Sequence, residues 1–102
     1  MTRTVRVVLQ WSAWVPIERI RPNGTFIKPV GFDHQGSEWL KGSWSLVLKA
    51  EGVPDAAREQ AATATFLFET APQEWLSVGA RFTVYEGIRA LAQGLVAAIV
   101  NE

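Results

Sequence analysis

Four segments of the chain alternate hydrophobic and polar residues with a period of two. They are residues 4–11, 43–50, 62–69 and 81–85. Alternation of this kind, with many β-branched and aromatic side chains, is typical of strands that bury one face. We therefore predict four strands whose inward faces carry Val5, Val7, Leu9 and Trp11; Trp44, Leu46 and Leu48; Ala64, Phe66 and Phe68; and Phe82 and Val84.

Proline, glycine and asparagine predict the turns between these segments. Residues 21–24 are Arg-Pro-Asn-Gly, in which proline presets φ and the last two residues tolerate positive φ. A short strand is expected at residues 25–30, where Pro29 indicates an edge or a bulge. Residues 31–42 predict a long loop or an irregular strand pair, and residues 54–60 predict one helical turn with Asp55 near its start. Strands separated by frequent turns favour a sandwich or a closed barrel.

The last apolar stretch, residues 88–100, fits two structures. As a helix it would place Ile88, Leu91, Leu95 and Ile99 on one face, although Gly94 would cost about 1 kcal/mol in the middle of that helix. As a strand it would line one face with small residues, which let another backbone or sheet approach closely. These small residues are Ala90, Ala92, Gly94, Val96 and Ala98, and the local pattern favours neither structure.

The composition fits one cysteine-free domain that spans residues 1–102. The absence of cysteine excludes a disulfide framework, a thiolate metal site and a cysteine nucleophile. We expect a cytoplasmic protein, because this composition fits a reducing compartment and the start of the chain does not resemble a signal peptide. The apolar stretches are shorter than the ~20 residues of a spanning helix, so no membrane association is expected.

The charges are balanced overall but unevenly distributed. Residues 1–30 carry five basic side chains and one acidic one, whereas the rest of the chain carries five basic and nine acidic ones. We favour charged outward-facing strand positions as the explanation, with a basic binding stripe as the alternative. Nucleic-acid binders usually have a net basic surface, so DNA binding is not expected, and RNA binding remains an alternative. The five basic residues are Arg3, Arg6, Arg19, Arg21 and Lys28.

The sequence contains no pattern typical of a catalytic site. His34 is the one histidine, beside Asp33 and four residues before Glu38. These side chains would supply a metal site or a general base with a supporting carboxylate, but a metal site needs three or four converging ligands, and we favour a solvated loop. A Gly-x-Ser-x-Gly elbow and a phosphate-binding Gly-x-x-x-x-Gly-Lys loop are both absent. We therefore predict no enzyme activity, no cofactor and no metal.

Three of the five tryptophans, Trp14, Trp39 and Trp75, lie in or near predicted loops. Exposed aromatic side chains are common at interaction hot spots and also stack on nucleic-acid bases. The alternative, which we favour, is that they cap the open ends of a barrel whose core is too small to enclose them.

Residues 82–96 resemble the closing hairpin of the C-terminal β-barrel of elongation factor Tu and its relatives. In that family a strand ends in Arg-Glu-Gly-Gly-Arg, turns, and continues as Thr-Val-Gly-Ala-Gly-Val-Val. Ile20-Arg21-Pro22, followed by Phe26, is similar to the family's Gly-Tyr-Arg-Pro-x-Phe. Ile88 stands where the family has a second turn glycine. The matching hairpin residues are Phe82, Glu86, Gly87, Arg89, Gly94 and Val96.

The resemblance implies an all-β fold, a small antiparallel closed barrel of about six strands, and makes the tail a strand. In the family this barrel is an adaptor that packs on a GTPase domain, helps hold the T-stem of aminoacyl-tRNA and offers surface to partner proteins. The tRNA contacts that the resemblance would carry over are Arg21, Glu86 and Gly87.

The leading hypothesis is a non-enzymatic adaptor module, without the GTPase, that binds a protein partner through a tryptophan-bearing rim. A tRNA- or RNA-binding module is the first alternative. A small ligand- or metal-binding barrel that uses Asp33, His34 and Glu38 is the second. The candidate binding residues are Trp14, Arg21, Trp39, Trp75, Glu86 and Gly87. The pattern does not indicate an oligomeric state.

Overall fold

The computed structural model describes residues 2–101, which form a closed antiparallel barrel of six strands in the order β1-β4-β3-β2-β5-β6. The strands are β1 (Thr4–Trp11), β2 (Thr25–Phe32), β3 (Trp44–Glu51), β4 (Glu59–Phe66), β5 (Arg81–Glu86) and β6 (Arg89–Asn101). Three 3-10 segments occupy connections, at Ile17–Arg19, Asp33–Leu40 and Gln73–Trp75. The predicted all-β small barrel is confirmed. In this part of the chain no helix is long and apolar enough to cross a bilayer.

The two ends of the barrel differ in the loops they carry. At the end that we call the hairpin end lie the β1–β2 loop (12–24), the β3–β4 turn (52–58) and the β5–β6 turn (87–88). At the other, terminal end, β1 begins beside the last residues of β6, because Thr4 pairs with Asn101. The β2–β3 and β4–β5 connections, with their 3-10 segments, also lie at the terminal end.

The alternating residues fill the interior as predicted, with one exception. The inward faces of β1, β3 and β5 are buried, apart from a half-buried Trp44 at the start of β3. Phe68, predicted to face inward, is 58% exposed because β4 ends at Phe66 and the chain then turns away. Phe32, which the alternation did not mark, lies at the centre of the core, with its ring 5.7 Å from that of Phe82 and 5.9 Å from that of Phe66.

The predicted helical turn at residues 54–60 is wrong. Asp55 begins a β-turn, which is closed by the Arg58 N–H donating to the Asp55 carbonyl at 2.9 Å. The Asp55 side chain accepts hydrogen bonds from the N–H groups of Ala57 and Glu59, both at 2.9 Å. An aspartate that bonds its own following backbone favours a turn over a helix. Arg58 completes the hairpin with φ at 65°.

The tail is a strand rather than a helix. β6 pairs with β5 on one side and with β1 on the other, and these pairings close the barrel. Gly94 faces the interior, and an added Cβ there would lie 2.2 Å from the Phe82 ring. The two flanking strands satisfy the backbone of β6, and the missing side chain makes room for the phenyl ring. Together these tertiary contacts outweigh the helix propensity of the segment.

Candidate binding groove at the barrel mouth

The barrel wall opens at the hairpin end between β2 and β5. The ladder between these strands joins only Val30–Phe32 of β2 with Phe82–Val84 of β5. Pro29 precedes this stretch of β2, on the side of the hairpin end. Because proline has no N–H to donate, the ladder ends there. In the same register Lys28 would lie opposite Glu86, and their side chains form an ion pair at 3.5 Å across the gap.

A groove of about 400 Å³ fills this opening, and we call it the mouth groove. Its floor is apolar and belongs to the core, whereas its rim carries charged and aromatic side chains from the β1–β2 loop and the adjoining strand ends. The floor is made by Trp11, Val15, Ile20, Phe26 and Leu91. The rim is made by Trp14, Arg19, Arg21, Lys28 and Glu86. Mouths of β-barrels are a common place for binding sites.

Gln60 holds the floor of the mouth groove in place. It is the one buried polar residue in the part of the chain that the structure describes, at 1% exposure. Its side-chain oxygen accepts from Trp11 Nε1 at 3.0 Å, and its amide donates to the carbonyls of Arg21 at 3.2 Å and Gly52 at 2.9 Å. One amide thus satisfies three groups from three elements. The inward position of Gln60 in β4, two residues before Ala62, was the sequence signal for this role.

Arg58 ties the β1–β2 loop to the β3–β4 turn. One guanidinium nitrogen donates to the Ser12 carbonyl at 3.0 Å and also to the Val15 carbonyl. The backbone adds a further bond, from the Trp11 N–H to the Arg58 carbonyl at 2.9 Å. Because Val15 lies on the floor, these bonds hold the loop in the shape that forms the groove.

Trp14 stands on the rim with one side of its ring covered. The Arg89 guanidinium lies over that ring at 3.7 Å from its centre, a cation–π contact. The indole Nε1 donates to the Ala90 carbonyl at 2.9 Å, and the Ser12 hydroxyl donates to the same oxygen at 2.7 Å. Trp14 remains 38% exposed. The rim therefore presents an oriented indole beside a cation.

The five basic residues of the N-terminal third do not form one stripe. Arg3, before β1, donates to the Leu76 carbonyl at 3.1 Å, and Arg6, on the outer wall, pairs with Glu51 at 3.2 Å. Lys28 pairs with Glu86 across the mouth. Arg19 and Arg21 are exposed on the rim, and within residues 2–101 neither has an ion-pair partner. Both of these arginines lie at the mouth groove.

Of the candidate binding residues, four lie at the hairpin end. Trp14, Arg21 and Glu86 line the mouth groove. Gly87 begins the two-residue turn between β5 and β6 and has φ at 62°, a conformation that favours glycine. The next residue, Ile88, is 79% exposed at the tip of that turn.

Trp39 and Trp75 belong to the connections at the terminal end, so the three loop tryptophans do not share one rim. Trp39 is half-buried and stacks on Tyr85, with ring centres 3.7 Å apart and planes within 6°. It also covers Gly31, where an added Cβ would lie 2.9 Å from the Trp39 side chain. Trp75, also half-buried, contacts His34 edge-on at 4.4 Å. Both of these indoles pack against their own barrel.

The acidic loop around His34 does not assemble a metal site. Asp33, His34 and Glu38 belong to the 3-10 segment after β2, and their side chains are exposed. Among the described residues no group of three histidine or carboxylate side chains is arranged to hold an ion. His34 instead packs its ring against Trp75 and Phe32.

Comparison with known proteins found no family model that matches the chain, and no similar curated protein or solved structure. The candidate site is therefore assigned from its own geometry.

Proposed function

We propose that this chain is a non-enzymatic interaction module that binds a protein partner in the mouth groove. The observation that carries the proposal is the groove itself, in which an apolar floor of mostly buried side chains is bordered by an exposed indole and two unpaired guanidinium groups. Tryptophan and arginine are enriched among the side chains that dominate the energy of protein interfaces. A cytoplasmic location stays a prediction.

The resemblance to the C-terminal barrel of elongation factor Tu supports an adaptor role. In that family the barrel performs no chemistry and offers its surface to other domains and proteins. The contact residues that the resemblance would carry over, Arg21 and the Glu86-Gly87 turn, lie at the hairpin end beside the groove. The likeness and the groove thus support the same end of the barrel as the binding surface.

A photo-crosslinking amino acid placed at one end of the barrel at a time tests the proposal in the native host. Thr25 lines the mouth groove and is exposed, whereas Thr70 is exposed in the β4–β5 connection at the opposite end. We expect the probe at position 25 to give one discrete protein adduct, and the probe at position 70 to give none. The purified adduct partner is then expected to bind the unmodified chain and to lose affinity for the Arg21→Glu variant.

Two results would contradict the proposal. One is the same adduct at both positions, which would place the contact outside the groove. The other is no adduct at position 25, together with an endogenous protein that elutes from native size-exclusion chromatography at the volume of the purified chain alone. The Arg81→Glu variant is the matched control for charge, because Arg81 is exposed on β5 away from the groove.

RNA binding is the second candidate, favoured by the exposed Trp14 beside Arg19 and Arg21. An indole that stacks on a base next to guanidinium groups that bind phosphates is a common single-strand arrangement. Two phosphate contacts would give a slope of log affinity against log salt of about −1.5. Titration of tRNA at several salt concentrations measures this slope, and undetectable binding at low salt would exclude the RNA role.

A further inference from the structure

We infer that the occupant of the mouth groove is an extended, acidic segment of the partner protein that adds as a short strand to the open edge of β2. The inference rests on the proposed function and specifies its partner. It follows from the backbone at the gap, the charge of the rim and the size of the groove.

The backbone of β2 is open where it borders the groove. The Gly24 carbonyl accepts a hydrogen bond from the Ala50 N–H of β3 at 2.8 Å, so Gly24 directs its backbone hydrogen-bonding groups toward β3. Successive residues of a strand direct their backbone groups to opposite sides. The N–H and C=O groups of Thr25 and Ile27 are therefore directed away from β3, to the side of β5, along a stretch that continues past the end of β5 at Glu86 and that the β2–β5 ladder does not reach. An added peptide strand would satisfy these groups, as in strand addition to a sheet edge.

The rim selects for negative charge. Of the four ionisable residues that line the groove, three are basic and one is acidic. Lys28 and Glu86 neutralise each other, which leaves Arg19 and Arg21 to bind incoming carboxylates. Guanidinium groups bind carboxylates with two parallel hydrogen bonds, so these two positions favour aspartate or glutamate in the segment.

The size of the groove favours a few side chains over the face of a folded domain. Its volume of about 400 Å³ lies within the range of small-ligand pockets. The floor in front of Trp11 and Phe26, whose rings pack on each other with centres 5.7 Å apart, would take one aliphatic or aromatic side chain of the added strand. Acidic side chains on either side of that anchor would then reach the rim.

Selection from a displayed library of random 12-residue peptides against the purified full chain tests the inference. We expect enriched peptides to share one large apolar residue flanked by carboxylates. Their affinity for the Arg19→Glu/Arg21→Glu variant should fall about tenfold or more, whereas the Arg81→Glu variant should bind them as the unmodified chain does. Thermal unfolding of each variant checks that the charge changes leave the barrel folded.

N-methylation of the synthetic peptide tests the strand addition separately. In an added strand, the backbone N–H groups of every second residue face β2, and those of the residues between them point away from it. Methylating the first set should abolish binding, while methylating the second set should leave the affinity within about twofold. Tolerance of both sets would overturn strand addition. Enrichment of neutral or basic peptides, or no enrichment at all, would overturn the acidic-segment inference. If crosslinking from position 25 still yields a partner in those cases, the proposed function stands and that partner binds through a folded surface.

Discussion

Replacing Gly94 with alanine would insert one methyl group where, among the described glycines, an added Cβ has the least room. The new Cβ would lie 2.2, 2.4 and 2.7 Å from three atoms of the Phe82 ring. Carbon atoms pack at about 3.5–4.0 Å, so the ring must move by more than 1 Å. Phe82 is fully buried, and its ring also contacts that of Phe32, which leaves it little room to move.

We expect Gly94→Ala to lower the free energy of unfolding by about 2 kcal/mol. Overpacking a core costs about 1–3 kcal/mol, and the overlap with a fully buried ring puts this site at the upper end of that range. The smaller entropy of the unfolded chain with alanine offsets about 0.4–1 kcal/mol of this cost. For a domain of this size 2 kcal/mol corresponds to a fall in Tm of about 8–16 °C. Urea unfolding followed by tryptophan fluorescence measures the free energy, and calorimetry measures the Tm.

A matched control and a second-site change test the cause of that loss. Gly42→Ala adds the same methyl group where the nearest atom is the Gln35 amide nitrogen at 3.9 Å, and we expect a change within about 0.5 kcal/mol of zero. Phe82→Leu shortens the clashing side chain, so in a double-mutant cycle it should recover at least about 1 kcal/mol of the Gly94→Ala loss. A Gly94→Ala protein as stable as the unmodified chain, or strictly additive double-mutant energies, would refute this packing argument.

Three further substitutions test how the mouth groove is held. Gln60→Leu leaves Trp11 Nε1 and the Arg21 carbonyl without this partner, and it leaves the Gly52 carbonyl with the Asn23 N–H at 3.3 Å. We therefore expect a loss of about 3 kcal/mol in urea unfolding, and a loss below about 1 kcal/mol would contradict this role. Arg58→Met removes the bonds to the Ser12 and Val15 carbonyls, so hydrogen exchange in residues 12–24 should become faster while exchange in β3 is unchanged. Lys28→Met breaks a partly exposed ion pair and should cost less than about 1 kcal/mol, and a loss above 2 kcal/mol would show that the pair closes the wall.

Much of the barrel could be predicted from the alternation of residue types, because a strand with one buried face has a period of two. The errors have local causes. The strand predicted at residues 62–69 forms at Glu59–Phe66. The prediction began too late because Gln60 is a polar residue on an inward face. It ended too late because Phe68 continues the alternation of apolar residues beyond the end of the strand. The tail could not be decided locally, since its strand conformation depends on β1 and β5, which are distant in sequence.

The site was predictable only in part. The Arg-Pro motif and the Glu86-Gly87 turn carried the resemblance, and both lie at the hairpin end. The groove itself depends on hydrogen bonds between residues that are far apart in sequence, such as Gln60 with Trp11 and Arg58 with Ser12, which no local pattern shows. The loop tryptophans were treated as one group, yet the strand directions place Trp14 in a loop at the hairpin end and Trp39 and Trp75 in connections at the terminal end.

Pro29 has a consequence for how an opening forms in the wall of this barrel. In most barrels the interior is enlarged by adding strands, which changes the tilt and the stagger of the whole sheet. Here six strands keep a tightly filled interior, and the aperture lies where the β2–β5 ladder stops after three residue pairs, at Pro29 of β2 and close to the end of β5 at Glu86. An amino acid with an N–H at this position would let the seam extend to Lys28 and Glu86 and narrow the aperture. Access can thus be tuned without altering the closed core beneath it.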